Sequence, residues 1–415
     1  MPLSRRNILG AAAGLTAVAA EAHAQSFGNP DSPQQGIANT RDNPRSSSDP
    51  GPQNPALIGQ FPKAYTPPAT DVGGHPLFWA SFNNAPRRIQ NGGWARQLTQ
   101  ADFQVSDAVS GVNMRLTAGG VRELHWHQAA EWAFMSYGSC RVTVLDPDGR
   151  SFVADTKEGD LWYFPAGYPH SLQGLGPDGC EFILVFDNGK QSEFNTLLVT
   201  DWLAHTPPEV LADNFGVPAE TFSKIFLHNL WIFQGALPGP LAADQDATRS
   251  PNGPPPNPFT YSLAGGPISK QTKGGMVQIA DSHNFKASAN IAAALVTVHP
   301  GGMREMHWHP NADEWQYYVK GSAQMTVFNT GPSAVTNNFN PGDVGYITRN
   351  LGHYIKNVGD TDLVFLEVFK TDTYQDFSLS DWLTHTPPAL VASHFNLPIQ
   401  VIATFPNNVP GVMPN

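Results

Sequence analysis

The sequence predicts an all-β protein made of two copies of one β-sandwich barrel, each with a small helical lobe at its C-terminal end. Three observations carry this prediction. Arg122-Glu-Leu-His125-Trp-His127, followed by Glu131 and His170, returns as Arg304-Glu-Met-His307-Trp-His309, followed by Glu314 and His353. A second duplication keeps the same order: Asp201-Trp-Leu-Ala-His-Thr-Pro-Pro208 returns as Asp381-Trp-Leu-Thr-His-Thr-Pro-Pro388. Repeated motifs at matching offsets indicate a repeated structural unit. Composition agrees, because 38 Gly and 37 Pro with only 14% charged residues suit short strands joined by turns better than helical bundles.

At 415 residues the chain has room for two domains. Residues 1–24 read as a twin-arginine signal peptide. They contain Ser4-Arg5-Arg6-Asn7-Ile8-Leu9, an apolar run from Ile8 to Ala20 too short to span a membrane, and the cleavage site Ala22-His23-Ala24. The expectation is a bacterial protein exported in folded form to the periplasm or beyond, with no membrane segment in its mature form. Residues 25–75 hold few large apolar side chains and read as an extended Pro/polar-rich arm. Residues 76–234 form the first barrel, with strands such as Val112-Asn-Met-Arg-Leu and Phe182-Ile-Leu-Val-Phe separated by turns such as Asp146-Pro-Asp-Gly149. Residues 235–258 are Pro/Gly-rich and read as an interdomain linker, 259–405 as the second barrel and 406–415 as a tail. In each lobe the Asp-Trp-Leu segment opens a short helix, and Pro218 and Pro398 fall near its close or in the following turn. Cys140 and Cys180 lie in strand-like runs, compatible with one bridge or with two buried thiols. A net charge of −11 leaves no footprint for nucleic acid, and any anionic substrate must be drawn in by local cations.

Side chains two apart on a strand share a face. His125 and His127 therefore converge, as do His307 and His309, while Trp126 and Trp308 turn away. Glu131 and Glu314 follow after a turn, one residue longer in the second copy, and His170 and His353 arrive from a later strand. Three imidazoles and a carboxylate make a compact metal shell. Four protein ligands on tetrahedral zinc leave no place for a substrate, whereas a six-coordinate Mn²⁺, Fe²⁺, Co²⁺ or Ni²⁺ keeps two positions. Strand alternation points Arg122 and Arg304 away from these ligands unless the backbone bends.

These residues resemble the cupin superfamily. Its first motif fits Gly119, His125, His127, Glu131 and Gly138, and again Gly301, His307, His309, Glu314 and Gly321. Its second fits Gly159, Pro165, Gly167 and His170, and again Gly342, His353 and Asn357, with Thr348 and Asn350 replacing the Pro and Gly. Among two-barrel cupins, the Arg-Glu-x-His-Trp-His of both halves and Pro310-Asn-Ala-Asp-Glu-Trp-Gln-Tyr-Tyr318 look like the oxalate decarboxylase family, from about Pro76 to about Phe405. The resemblance implies two cupin β-sandwich barrels with one Mn²⁺ in each, Fe or Co being less apt. It implies oxalate as the small-molecule partner, converted to formate and CO₂ with O₂ as redox cofactor. A homo-oligomer is expected.

The resemblance also places Arg122 and Arg304 beside the substrate, to polarise its distal carboxylate. Glu193 lies in Ser192-Glu193-Phe194-Asn195-Thr196, which resembles the mobile lid of the decarboxylases but departs from it at Phe194 and Asn195. This lid spans residues 187–200. The matching second-half loop, Lys370-Thr-Asp-Thr-Tyr-Gln-Asp-Phe377, is shorter and has no glutamate. The first barrel is therefore expected to decarboxylate, with Glu193 as proton donor. Glu367 reads as a second-site acid or as a carboxylate ordering a ligand or an arginine. Trp126 and Trp308 read as packing anchors or as electron carriers. Competing readings are an oxalate oxidase releasing CO₂ and hydrogen peroxide, a metal-holding storage protein, and an iron dioxygenase acting on a larger substrate.

Overall fold

The computed structural model describes residues 67–225, 228–408 and 411–414. The expected signal peptide and the arm up to residue 66 lie outside the described residues. In the first half, one strand of 15 residues, Glu131–Leu145, runs through both walls of the barrel. Its first part pairs with Asp160–Phe164 and Cys180–Phe186, its second with Ser151–Lys157 and His170–Gly174. The corner is Gly138, with φ 71°, where a Cβ would run into the Gly179 carbonyl. The second half turns the same corner at Gly321, with φ 83°, but there the chain divides into two strands, Glu314–Lys320 and Ala323–Asn329.

Both faces of these strands are buried, so they read as nearly unbroken apolar runs. After Glu131, Ala133 and Met135 face the interior of the first barrel, while Trp132 and Phe134 face the other half. In the second half Tyr318 faces inward and Trp315 and Tyr317 face outward. Trp132, Tyr163, Ile183 and Val185 thus meet Trp315, Tyr346, Leu366 and Val368 in one apolar layer between the barrels. Burying each large side chain stabilises the assembly by roughly 1.5–3 kcal/mol.

The expected barrel boundaries at residues 76 and 259 need correction. Trp79–Ser81 pairs with Asp343–Ile347 of the second barrel, and Thr260–Ser262 pairs with Asp160–Phe164 of the first. Crossing over satisfies backbone groups that a sheet edge would leave open. The end of the arm behaves alike: Val72 pairs with Ala334, and the Asp71 carboxylate accepts from Thr336 N and Oγ1. The linker is corrected too. Leu241–Ala247 is a helix docked on Ser151–Lys157, where Arg141 grips both Asp155 and Asp244 and Gln245 Nε2 donates to the Val153 carbonyl.

Each lobe holds three short helices: Val199–Ala204, Pro208–Phe215 and a 3₁₀ turn at Ala219–Lys224, then Leu379–Thr384, Pro388–Phe395 and Ile399–Ile402. Pro208 and Pro388 begin the middle helices, and Gly216 and Asn396 end them in the left-handed conformation, with φ 64° and 54°. Pro218 and Pro398 introduce the third helix rather than closing the first. Cys140 and Cys180 are free thiols buried in the first barrel's core. No described helix is long and apolar enough to cross a membrane.

Candidate metal centres

All eight predicted ligands come together as two buried groups. His125, His127, Glu131 and His170 place donor atoms within 4.8 Å of one another, and so do His307, His309, Glu314 and His353. Nδ1 of His125, His170, His307 and His353 lies 2.5, 2.8, 2.6 and 3.0 Å from the carbonyls of Glu123, Tyr168, Glu305 and Leu351. A carbonyl can only accept, so Nδ1 carries the proton and Nε2 keeps its lone pair for the centre. Nε2 of His127, His307, His309 and His353, with Oε2 of Glu314, is buried without a hydrogen bond. Buried polar atoms are nearly always hydrogen-bonded, so orphans facing a common point fit a cation held by nitrogen and oxygen donors.

The electrostatics agree. Burial, with the nearby guanidinium and imidazoles, holds His125 and His307 well below the usual histidine range, in the neutral form a metal needs. Burial alone would push Glu131 and Glu314 up, but the facing imidazoles outweigh it and hold both carboxyls below their usual range. Trp162 Nε1 donates to Glu131 Oε1 at 2.9 Å, and Gln316 Nε2 donates to Glu314 Oε1 at 2.7 Å. The replacements in the second copy's motif preserve the turn. Asn350, with φ 69°, donates its N–H to the His309 carbonyl at 2.9 Å, as Gly167, with φ 82°, does to His127 at 2.8 Å. Asparagine tolerates this conformation better than other side chains.

Strand alternation placed Arg122 and Arg304 on the wrong face, and the structure corrects this. Arg122 pairs with Leu172 and His125 with His170, three residues along one strand against two along the other. Arg304 and His307 show the same shift against Ile355 and His353. This bulge adds one residue and returns each arginine to the ligand side. Both arginines are fully buried. Arg122 Nε donates to Glu193 Oε1 at 2.6 Å, Nη1 to the Trp231 carbonyl at 3.2 Å and Nη2 to Thr196 Oγ1 at 3.1 Å. Arg304 Nε donates to Glu367 Oε1 at 3.2 Å, Nη1 to the Gly411 carbonyl at 3.0 Å and Nη2 to Tyr374 OH at 2.7 Å and Asp376 Oδ2 at 2.8 Å.

Glu193 is fully buried and turned into the first centre, its Oε2 unpartnered and 4.0 Å from His127 Nε2. The lid that carries it is tied to the barrel through Gln97 and Arg122 and braced by a bond within itself. Gln97 Oε1 accepts from Ser192 Oγ and Glu193 N, both at 3.0 Å, and Thr196 Oγ1 donates to the Glu193 carbonyl at 2.7 Å. Phe194 lies edge-on to Trp231 with ring centres 5.7 Å apart, and Arg88 sits 4.0 Å over the same indole. In the second half, burial pushes Glu367 above the usual carboxylate range despite the opposing Arg304 charge, with Glu314 adding to the rise. Trp126 packs on Trp202 and Trp308 on Trp382, each at 5.8 Å, within the chain.

Sequence reasoning missed several partners. Glu123 accepts from Leu230 N, Trp231 N and Thr200, and Glu305 from Ser378 Oγ and Gly411 N, tying each lobe to its ligand strand. Trp231, held at φ 50°, and the pair Tyr374 and Asp376 were also missed. Asp376 had a signal: it stands five residues before Asp381, as Thr196 stands five before Asp201.

Two barrels that each close on three imidazoles and a carboxylate define a bicupin metalloprotein. The cupin family profile matches residues 80–222 and 263–402, and the chain belongs to that family. Within it the chain belongs with the bicupin oxalate decarboxylases. It is 51% identical to oxalate decarboxylase OxdC of Bacillus subtilis over 83% of this chain and 89% of that one. It is 40% identical to a probable oxalate decarboxylase of Arthroderma benhamiae over 84% and 85% of the two chains. The solved structure of the B. subtilis enzyme at pH 4.6 superposes with a TM-score of 0.86 and 47% identity, covering 90% of this chain and 97% of that one. Another structure, of the same score and identity and covering 91% and 100%, concerns the Mn(II) centres of that enzyme.

Proposed function

We propose that this chain is a manganese-dependent oxalate decarboxylase that converts oxalate to formate and CO₂ in its first barrel. His125, His127, Glu131 and His170 would hold one ion, and His307, His309, Glu314 and His353 the other. Bound manganese supplies open positions for a carboxylate and, with dioxygen, the one-electron chemistry that zinc lacks. The protein's own residues account for the product. Arg122 supplies the buried positive charge for the substrate's distal carboxylate. As the carbon–carbon bond breaks and CO₂ leaves, the remaining carbon takes a proton and departs as formate. Glu193 Oε2, bonded to nothing else and facing the ligands, delivers it. The closed lid keeps bulk water out while this happens.

The observation that carries this reading is the buried Glu193 carboxyl on Arg122, with its second oxygen free toward His127. The test is an oxalate assay on Mn-loaded protein that measures formate and peroxide together. Formate from the parent, and less formate with more peroxide from Glu193→Ala, are expected. Peroxide as the parent's main product would favour an oxidase instead.

We also propose that residues 1–24 direct export through the twin-arginine route. The support is the ordered Ser4-Arg5-Arg6 pattern, apolar run and cleavage site. Folding around manganese before export would keep a weakly held ion from competing periplasmic metals. Fractionation checks this: Arg5→Lys with Arg6→Lys should retain the protein in the cytoplasm. A homo-oligomer is supported by the exposed apolar side chains of the lobes, among them Trp202, Phe215, Trp382 and Leu390. Mass measurement in solution tests it, and a monomer would end the idea.

A further inference from the structure

The two barrels share a ligand shell but differ at one repeat position beside it. Thr196 and Asp376 stand at the same offset from the Asp-Trp-Leu motif, and each meets the Nη2 of its barrel's arginine. In the first barrel that contact is a neutral hydroxyl at 3.1 Å, in the second a carboxylate at 2.8 Å. We infer that Asp376 is an internal anion that occupies the anion-binding face of Arg304 and closes the second metal centre to a dicarboxylate. The choice of Thr196 or Asp376 then decides which barrel takes substrate. This inference rests on the reading above, in which a small dicarboxylate binds between the metal and the arginine.

Three further observations support it. Asp376 is held from the other side by Lys270, whose Nζ lies 3.1 and 3.0 Å from its two oxygens. Tyr374 OH donates to the same carboxylate at 3.1 Å, so the group is fixed in place. Burial opposes its charge, but Arg304 and Lys270 outweigh burial and hold Asp376 below the usual carboxylate range, so it is an anion at neutral pH. The second-half loop is also pinned to a ligand, because His309 Nδ1 donates to the Gln375 carbonyl at 2.7 Å. The corresponding Nδ1 of His127 has no hydrogen-bond partner among the described residues. His127 borders a cavity of 350 Å³ that is also lined by the lid residues Lys190, Ser192, Asn195 and Thr196. The first centre thus lies beside a polar chamber under a lid, whereas the second is sealed by its own carboxylate.

Charge makes the same distinction. Beside the metal, the first barrel sets Arg122 against Glu131 and Glu193, and Glu193 leaves with the lid when it opens. The second sets Arg304 and Lys270 against the buried Glu314 and Glu367 and the partly buried Asp376. With the lid open, the second pocket therefore keeps one more negative charge than the first, which repels a dianion.

The test uses the full-length, Mn-loaded protein, titrated calorimetrically with oxalate without oxygen and, separately, with unreactive acetate. Elemental analysis confirms two Mn per chain. One carboxylate ligand per chain is expected for the parent and two for Asp376→Thr; Thr196→Asp should lose the first-site ligand or weaken it at least tenfold. In Asp376→Thr the Mn(II) resonance of the second centre should change when acetate is added, which a merely structural role would not produce. Asp376→Asn is the milder variant, should the threonine exchange disturb folding, and should admit a second, weaker ligand. Two Mn with a single carboxylate in both Asp376→Thr and Asp376→Asn overturns the inference. A parent that makes no formate in air overturns the oxalate reading instead, and the acetate counts then still decide the role of Asp376.

Discussion

The two metal centres have the same ligands, the same bulge that turns an arginine inward and matching carbonyls orienting two of their three imidazoles, yet their covers differ. Over the first lies a lid whose buried carboxyl, Glu193, is carried on a loop. Over the second, Glu367 is built into the strand Leu363–Phe369, and the loop above is pinned through Asp376 and Tyr374. A loop-borne acid can arrive and leave with substrate and product, whereas a strand-borne one cannot. The duplication therefore repeats the metal chemistry and lets the loops assign the work.

Removing the metal should erase the comparison altogether, and this is the largest effect expected. Chelation should abolish formate production and lower thermal stability, since each ion stabilises by about 2.7 kcal/mol at a hundredfold excess over its Kd. The metal-free protein should also respond to acid. His125 and His307 sit well below 6.5 when folded, so below about 6.5 the unfolded chain binds more protons than the folded one. Stability of the stripped protein should thus fall as pH drops from about 7 to about 5, and thermal melts at several pH values check this.

Next in size is Glu193→Gln, expected to cut formate production roughly 10²-fold or more and raise the peroxide share, as loss of a positioned acid predicts. Glu367→Gln sharpens the comparison: under about tenfold loss is expected, because the strand-borne carboxyl belongs to the sealed site. Steady-state assays of both products on the two variants separate these cases. The smallest effect should come from Phe194→Ala. Its contact with Trp231 is worth about 0.5–1.5 kcal/mol, so the lid should favour its closed form by roughly 2- to 10-fold less. Indole fluorescence with and without acetate, beside the formate-to-peroxide ratio, reads that shift.

Most of this site was legible in the chain because duplication carries its own control. A single His-x-His pair means little, but two pairs with matched Glu and His define eight ligands, and all eight converge. The departing residues were legible only in part. Nothing in Arg122-Glu-Leu-His125 announces a bulge, so period-two reasoning turned the arginines outward, where the structure turns them in. The crossed strands Trp79–Ser81 and Thr260–Ser262 were invisible for a related reason: a three-residue strand records its own extension but not its partner. The absence of glutamate from the second-half loop hides Asp376, because the feature that matters is a carboxylate at the repeat position of Thr196.

The most direct test pits the centres against each other in chains that hold one ion each. His307→Ala should leave manganese in the first barrel only, and His125→Ala in the second only, each verified by elemental analysis, with equal lesions serving as mutual controls. Formate from the His307→Ala protein and none from the His125→Ala protein is the predicted result. Formate from the chain whose only ion sits in the second barrel would contradict the account.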